Sequence, residues 1–291
     1  MASLKKQMVI VLLSVAVVFA SGCIEFGEEE EPEGRALVVE VFEAIPDEVF
    51  SGDDFELVMD VRNMGDVVAE NINPTLYSHG GATPDGDFDE IAQLNPPTEE
   101  FEGEKATFQM SMRAPEIRVT DETVTTEVRV PYEYGTEARI LIPALSKDEH
   151  RIRVETGETV PGIETARVTQ GPFTVRIEGP APALIEQGDE EFRFYVHGNN
   201  VGGGTPYLTQ GHPDPSRDEI NMVDVDLELH GASLVNDCDG EVQVRGGNSF
   251  QMVCRAEIDS VQDFQEIPID ISVDYGYRIR ESTSLRVRED L

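Results

Sequence analysis

Apolar and polar residues alternate along most of the chain beyond residue 36. In residues 128–134, valine and tyrosine occupy every second position, and isoleucine, valine and tyrosine do the same in residues 267–277. Residues 55–61 and 108–112 follow the same period. A period of two predicts antiparallel strands with one buried and one wet face. No segment after residue 22 has a clear 3.6-residue period, so we expect almost no helix.

The prolines and the tyrosines of these strands lead to two further expectations about the sheet. Pro131 and Pro268 fall on outward positions, which indicates edge strands or bulges, because proline cannot donate to a strand ladder. Tyrosines lie at inward positions, where we expect them to be packed with a hydroxyl bonded to a backbone carbonyl. The alternative is a stacking platform for sugars. These tyrosines are Tyr132, Tyr134, Tyr275 and Tyr277.

The chain contains an internal duplication. Three pairs of segments match in the same order: Phe108–Ala114 with Phe250–Ala256, Val130–Tyr134 with Val273–Tyr277, and Ser51–Gly65 with Gln187–Gly202. Repetition at this spacing predicts two copies of one structural unit. We place the units at residues 36–145 and 171–291, with residues 146–170 as a connector rich in charge, glycine and proline.

The N-terminus reads as an export signal. Lys5 and Lys6 precede an apolar run, Met8–Ala20, that is too short to span a bilayer permanently. The run ends in Ala20-Ser-Gly-Cys23, which resembles the lipobox of prokaryotic lipoproteins. That resemblance implies that residues 1–22 are removed and that Cys23 is lipidated. Residues 23–35 then form an acidic tether, which we expect to be extended and disordered. An ordinary secretory signal with a chance cysteine remains the alternative.

The charge balance narrows the class of partner. Asp and Glu number 58 against 22 Lys and Arg, and the formal net charge is −36. Nucleic acid is excluded as a partner, because phosphate binding needs a basic face. The Lys-poor, acid-rich profile resembles proteins of halophilic archaea, in which high salt screens such repulsion. An acidic extracellular protein from ordinary salt is the other interpretation. We expect a protein outside the cytoplasm, facing outward and lipid-anchored to the cell membrane.

Each unit opens with an apolar strand, a proline, and a Gly-Asp-x-Phe segment that leads to a strand ending Val-x-Asn-x-Gly. In the first unit these are Val38–Phe42, Pro46, Gly52–Phe55 and Val61–Gly65, and in the second the ending is interrupted, Val196–Gly202. The pattern is similar to the immunoglobulin-like, adhesion-related (CARDB-type) repeats of bacterial and archaeal surface proteins. The resemblance implies an all-β fold of two tandem immunoglobulin-like antiparallel β-sandwiches and an extracellular setting, with no catalytic activity implied.

The two remaining cysteines, Cys238 and Cys254, lie in the second unit. Cys254 takes the inward position that Met112 holds in the first unit. Outside the cytoplasm two such cysteines are expected to pair. The closed loop of about sixteen residues would stabilise the fold by ~3 kcal/mol in the chain-entropy model. Two buried free thiols are the alternative.

Motifs that carry chemistry are absent from the sequence. It has no Gly-x-Ser-x-Gly, no His-Glu-x-x-His, no phosphate-binding glycine loop and no Cys-x-x-Cys, so we expect neither an enzyme nor a cofactor. The five histidines are scattered. Asp85, Asp87 and Asp89 alternate in one acidic loop and form a weak calcium candidate, since calcium prefers carboxylate oxygens. A solvated acidic loop is the competing interpretation.

Three functions follow from these features. The first is a non-catalytic surface lipoprotein whose sandwiches bind or scaffold another envelope protein. The second is an adhesion or carbohydrate-binding module, which requires an exposed aromatic patch. The third is an enzyme with an unrecognised site, which nothing in the sequence favours. Residues 79–99 and 203–221 are the predicted contact loops, because connecting loops carry function on rigid sandwiches.

Overall fold

The computed structural model describes residue 34 and residues 36–186, 190–209, 215–258 and 260–289. The predicted signal peptide, Cys23 and nearly all of the predicted tether lie outside the described residues. Judged by internal contacts, Glu33–Leu291 forms one compact unit.

The regular secondary structure of the described residues is almost entirely β-strand, as the alternation predicts. The first repeat contains β1 (Leu37–Ile45), β2 (Glu48–Phe50), β3 (Asp54–Asn63), β4 (Ala69–Ile72), β5 (Thr75–Ser78), β6 (Thr83–Asp85), β7 (Ile91–Leu94), β8 (Lys105–Arg113) and β9 (Asp121–Ser146). Helix α1 (Lys147–Thr156) and β10 (Glu164–Val168) follow in the connector. The second repeat contains β11 (Phe173–Glu178), β12 (Ala183–Ile185), β13 (Glu190–Asn200), β14 (Thr205–Tyr207), β15 (Met222–Leu229), β16 (Ser233–Leu234), β17 (Gly240–Gln243), β18 (Ser249–Ile258) and β19 (Phe264–Arg288).

Three sheets make up the fold. A four-stranded sheet, β1-β3-β8-β6, belongs to the first repeat, and its counterpart β11-β13-β18-β16 belongs to the second. Both pack on an eleven-stranded sheet whose main order is β17-β15-β19-β9-β4-β7. The inward side chains join in one continuous apolar core. The prediction of an all-β fold with two immunoglobulin-like antiparallel sandwiches is confirmed; we call them the first and second sandwich after the repeat that supplies the outer sheet.

The two longest strands join the repeats. β9 and β19 pair antiparallel over the full 25 residues of β19. The tyrosines of the two repeats face each other at the centre of this pair, Tyr134 opposite Tyr275 and Tyr132 opposite Tyr277. The pair therefore has an approximate two-fold axis at its middle.

The repeats exchange their last strands across this axis. The second half of β9 leaves the first repeat and pairs with β10 and, in parallel, with β12 at Ala144–Ser146. The second half of β19 returns to the first repeat, where Arg286–Arg288 run parallel to β2. Each sandwich is thus closed by a strand of the other repeat. The bounds 36–145 and 171–291 remain a prediction from the sequence, and each sandwich among the described residues draws strands from both of these ranges.

The prolines depart from expectation. Pro131 and Pro268 lie within the two central strands, opposite Arg278 and Leu141, and not at a sheet edge or bulge. Their imino nitrogens point away from the β9–β19 pairing, because neither position breaks the register. A proline is tolerated in a long strand when only its outer side loses a donor.

Helix α1 is the one helix among the described residues, and none of its residues is buried. The Ser146 hydroxyl accepts a hydrogen bond from the Glu149 N–H at 3.2 Å, and Gly157 ends the helix with φ 75°. These caps specify the helix locally. It has no apolar stripe, which is why periodicity did not predict it.

Candidate functional site

The cysteines of the second repeat are joined. Cys238 and Cys254 form a disulfide with their Cα atoms 5.3 Å apart, within the range such a bond allows. Cys254 is fully buried, as is its counterpart Met112 in β8. The bond ties the segment ahead of β17 to β18.

The four inward tyrosines form a buried cluster at the two-fold axis. Neighbouring rings of Tyr132, Tyr134, Tyr275 and Tyr277 lie 5.8 to 6.3 Å apart, mostly edge to face. The Tyr134 hydroxyl donates to the Gln170 carbonyl at 2.9 Å and accepts from the Val67 N–H at 3.0 Å. The packing interpretation is confirmed, and these rings are not available to stack on a sugar.

Burial controls the ionisation of these phenols. Desolvation raises the pKa of Tyr134 to about 12 and that of Tyr277 to about 12. It also raises the pKa of Tyr132 and Tyr275 well above the ordinary value. A buried phenolate has lost the water that stabilises its charge. The cluster therefore stays neutral at physiological pH and has a structural role.

The Val-x-Asn-x-Gly motif is explained by the asparagine side chain. The Asn63 amide donates to the carbonyls of Val67 at 2.8 Å and Leu94 at 2.9 Å, and the Gly65 N–H donates back to its oxygen. Asn200 repeats this with the carbonyls of Gly204 at 3.0 Å and Gly247 at 2.7 Å. The motif is thus intact in the second repeat despite its interrupted sequence.

An open strand edge runs along the second half of β19. The pairing of β14 with β19 stops at Arg278 and that of β2 begins at Arg286, so between these points β9 is the one described strand that pairs with β19. A groove of about 410 Å³ lies beside the start of this edge. Its lining includes Leu37, Val39, Tyr277, Gly203, Ile279 and Arg280.

One aromatic ring is exposed beside two cations. Tyr77, on β5, is 52% exposed. The Arg129 guanidinium lies 3.3 Å from the centre of its ring, and that of Arg280 lies 5.4 Å away. Guanidinium groups at such distances are attracted to the face of the ring. This is a small cationic and aromatic patch on an otherwise acidic molecule.

Carboxylates dominate the outer face of the central sheet on the side of the second repeat. Desolvation raises the pKa of Asp274, and the neighbouring Asp224, Asp226 and Glu137 raise it further. Asp270 behaves in the opposite way: a hydrogen bond from the Arg139 guanidinium, 2.6 Å away, lowers its pKa to about 2.

The predicted calcium ligands do not assemble. Asp85, Asp87 and Asp89 are all exposed, and the intervening Phe88 is buried. Within the described ranges no group of three or more His, Cys, Asp or Glu is placed to hold a metal ion. Cys23, the predicted lipidation site, lies outside the described residues.

The two predicted contact loops contain strands of their own. Residues 79–99 include β6 and β7, and residues 203–221 begin with β14, which pairs with β19. They are not structurally equivalent, because β6 pairs with the outer strand β8. Gly203 and Gly204 of the second loop line the groove beside the open edge.

No helix in the described part of the chain has both the length and the apolar character needed to span a membrane.

Comparison with known proteins does not assign a family. No family model and no curated protein matches the chain. Among solved structures, a Porphyromonas gingivalis W83 protein of unknown function is 14% identical, with 88% of this chain and 100% of that chain covered and a TM-score of 0.20. The D0-D1 domain of intimin is 10% identical, with 78% and 95% covered and a TM-score of 0.18. A collagen adhesin of S. aureus is 7% identical, with 88% and 95% covered and a TM-score of 0.10. TM-scores this low support no conclusion about this chain.

Proposed function

We propose that this protein is a non-catalytic, lipid-anchored cell-surface protein whose double sandwich binds or scaffolds another component of the envelope. The signal-like N-terminus with Cys23 supports the location. The single observation that carries the binding role is the exchange of last strands between the repeats. It makes two small sandwiches into one body that holds its loops and edges in fixed positions, and rigid scaffolds of this kind carry binding surfaces.

The first test identifies the partner on the cell. Intact source cells are crosslinked, and the proteins that co-purify with this chain are identified by mass spectrometry. The control is Cys23→Ser, which removes the acceptor of the lipid. We expect one recurrent envelope protein that is lost with the anchor. Recovery of no protein from either form would contradict a scaffolding role.

A second candidate function is adhesion to an anionic glycan. The observation that favours it is the exposed ring of Tyr77 beside the guanidinium groups of Arg129 and Arg280. Aromatic rings stack on sugars, and guanidinium groups bind carboxylates with two hydrogen bonds. Tyr77→Ala should then abolish binding of the protein without its anchor to uronate-containing polysaccharide, with Phe101→Ala, at a more exposed aromatic residue elsewhere, as the control. Equal binding by both variants would dispose of this function.

A further inference from the structure

The edge of β9 that pairs with β10 has an equivalent in β19, and the two edges differ in the strands described beside them. The match of Tyr134 with Tyr277 makes Glu137 the counterpart of Arg280. In β9, the Glu137 carbonyl accepts from the Thr169 N–H at 2.9 Å, and its N–H donates to the Thr169 hydroxyl at 2.8 Å. β10 then continues antiparallel along residues 138–141. No described strand does this for β19.

The open backbone groups of β19 can be assigned from the neighbouring pairing. The Arg286 N–H donates to the Asp47 carbonyl at 3.0 Å, on the side away from β9. Because backbone groups alternate sides along a strand, those of Arg280, Ser282 and Ser284 face the same way. Three N–H and three C=O groups in a row therefore face the open side.

The side chains also differ between the two edges. Beneath β10, Ala138 and Ile140 are 4% and 0% exposed. Their counterparts in β19, Glu281 and Thr283, are exposed and half-buried. The lining of the groove beside them includes the apolar residues Leu37, Val39 and Ile279 together with polar ones such as Arg280 and Thr205. The core of the first sandwich is less completely covered at this edge.

We propose that the open edge of β19, residues 280–284, is a docking site for an extended segment of a partner protein, which adds as an antiparallel strand. The antiparallel pairing of β10 with β9 in this chain shows how an added strand would lie on β19. Addition of a strand to an open edge is a common mode of peptide recognition, in which main-chain bonds give affinity and alternate side chains give specificity. The docking site makes the proposed function more specific, and it rests on that function because it requires a partner protein.

The chemistry of the occupant follows from the site. Every second residue of the segment lies on the side of Leu37, Val39 and Ile279, the apolar part of the groove lining, so these residues are apolar. The segment as a whole is not strongly acidic, because the chain carries a net charge of −36, but the side chain that it presents to Arg280 is neutral or acidic, since a cation there would be repelled. The run Glu28–Glu31 of this chain is a poor occupant by sequence, since it combines four like charges with low β-propensity.

The test uses the full chain with Cys23→Ser and a display library of random nonapeptides as the probe. Selected peptides should slow amide hydrogen exchange at Arg280, Ser282 and Ser284. Ser282→Pro removes one outward N–H and should weaken binding at least ~tenfold. Pro131 and Pro268 indicate that such a substitution is compatible with the fold. Thr123→Pro is the matched control, since it removes an N–H from the far side of the β9–β19 pair and should leave binding unchanged.

Several results would overturn the proposal. If the selected peptides bound Ser282→Pro as tightly as the unsubstituted edge, the docking site would not lie here. A library that yielded no binder would refute the site as well. Slow exchange at the three amides in the free protein would mean that the edge is already filled. If replacement of residues 24–33 with glycine and serine restored fast exchange, those residues would be the occupant. If protection rose with protein concentration, the occupant would be a second copy of the chain. If Ser282→Pro fails to fold, hydrogen exchange of the unsubstituted edge with and without bound peptide tests the site instead. A partner found by crosslinking but binding elsewhere would refute this site and leave the proposed function standing.

Discussion

The exchange of strands makes a prediction that a conventional pair of tandem domains does not. Ile140 belongs to the first repeat in sequence, but it is fully buried in the second half of β9, between Thr165 of β10 and Ile269 of β19. Val128 lies in the first half of the same strand, opposite Leu76 of β5, and is also fully buried. Truncating each to alanine should therefore weaken opposite sandwiches.

The magnitude follows from the atoms removed. Ile→Ala deletes three carbons at ~0.8 kcal/mol each, and the cavity left behind brings the cost to about 2 to 4 kcal/mol. At 1.4 kcal/mol per factor of ten, opening of the second sandwich should accelerate ~30- to ~1000-fold. Val128→Ala deletes two carbons and should cost the first sandwich about 2 kcal/mol.

Hydrogen exchange resolved by strand is the assay. Ile140→Ala should speed exchange most in β11, β13 and β18, and Val128→Ala should do so most in β1, β3 and β8. The reverse pattern for Ile140→Ala, with the larger effect in the outer sheet of its own repeat, would refute the exchange of strands.

Three further results are expected. Tyr134→Phe removes a hydroxyl with two backbone partners and should lower the free energy of unfolding by about 1 to 3 kcal/mol in urea titrations. Asp270 has a folded pKa below its unfolded value near 4, so it stabilises the fold above that pH and loses this contribution as pH falls towards 2; Asp270→Asn should flatten melting temperature against pH in this window. Reduction of Cys238–Cys254 should lower the melting temperature, by an amount equivalent to about 3 kcal/mol.

Each of these results has a contrary outcome. An unchanged urea midpoint in Tyr134→Phe would mean that its hydrogen bonds contribute nothing net. A pH profile with the same slope in Asp270→Asn would assign acid sensitivity to other carboxylates. Identical melting with and without reductant would contradict a stabilising disulfide.

Much of the fold could be predicted from alternation and repetition, because both reflect local rules of burial. The alternation along the matched segments predicts directly that the tyrosines point inward. It also predicts that Met112 and Cys254 occupy equivalent buried positions. A signal for the long strands was also present: the inward positions from Val128 to Ala144 continue without a break past Gly135. That run is too long for one strand of a small sandwich.

Other features depend on contacts that no local pattern records. The exchange of last strands requires the partner of β9 to be β19, which lies more than a hundred residues away in the chain. The open edge of β19 is visible only through comparison with β9 and β10 in space. Helix α1 depends on Ser146 and Gly157 at its ends, and such caps do not appear in apolar periodicity.

The most direct test of the central claim is a designed disulfide between the repeats. Thr125 and Ser284 face each other in the β9–β19 pair, with their hydroxyl oxygens 3.3 Å apart, in the first sandwich. Thr125→Cys combined with Ser284→Cys should form an intrachain bond on mild oxidation, detected as a linked peptide in the monomer by mass spectrometry. If each repeat instead closed its own sandwich, residue 284 would lie in the other sandwich, and the two cysteines would remain unlinked.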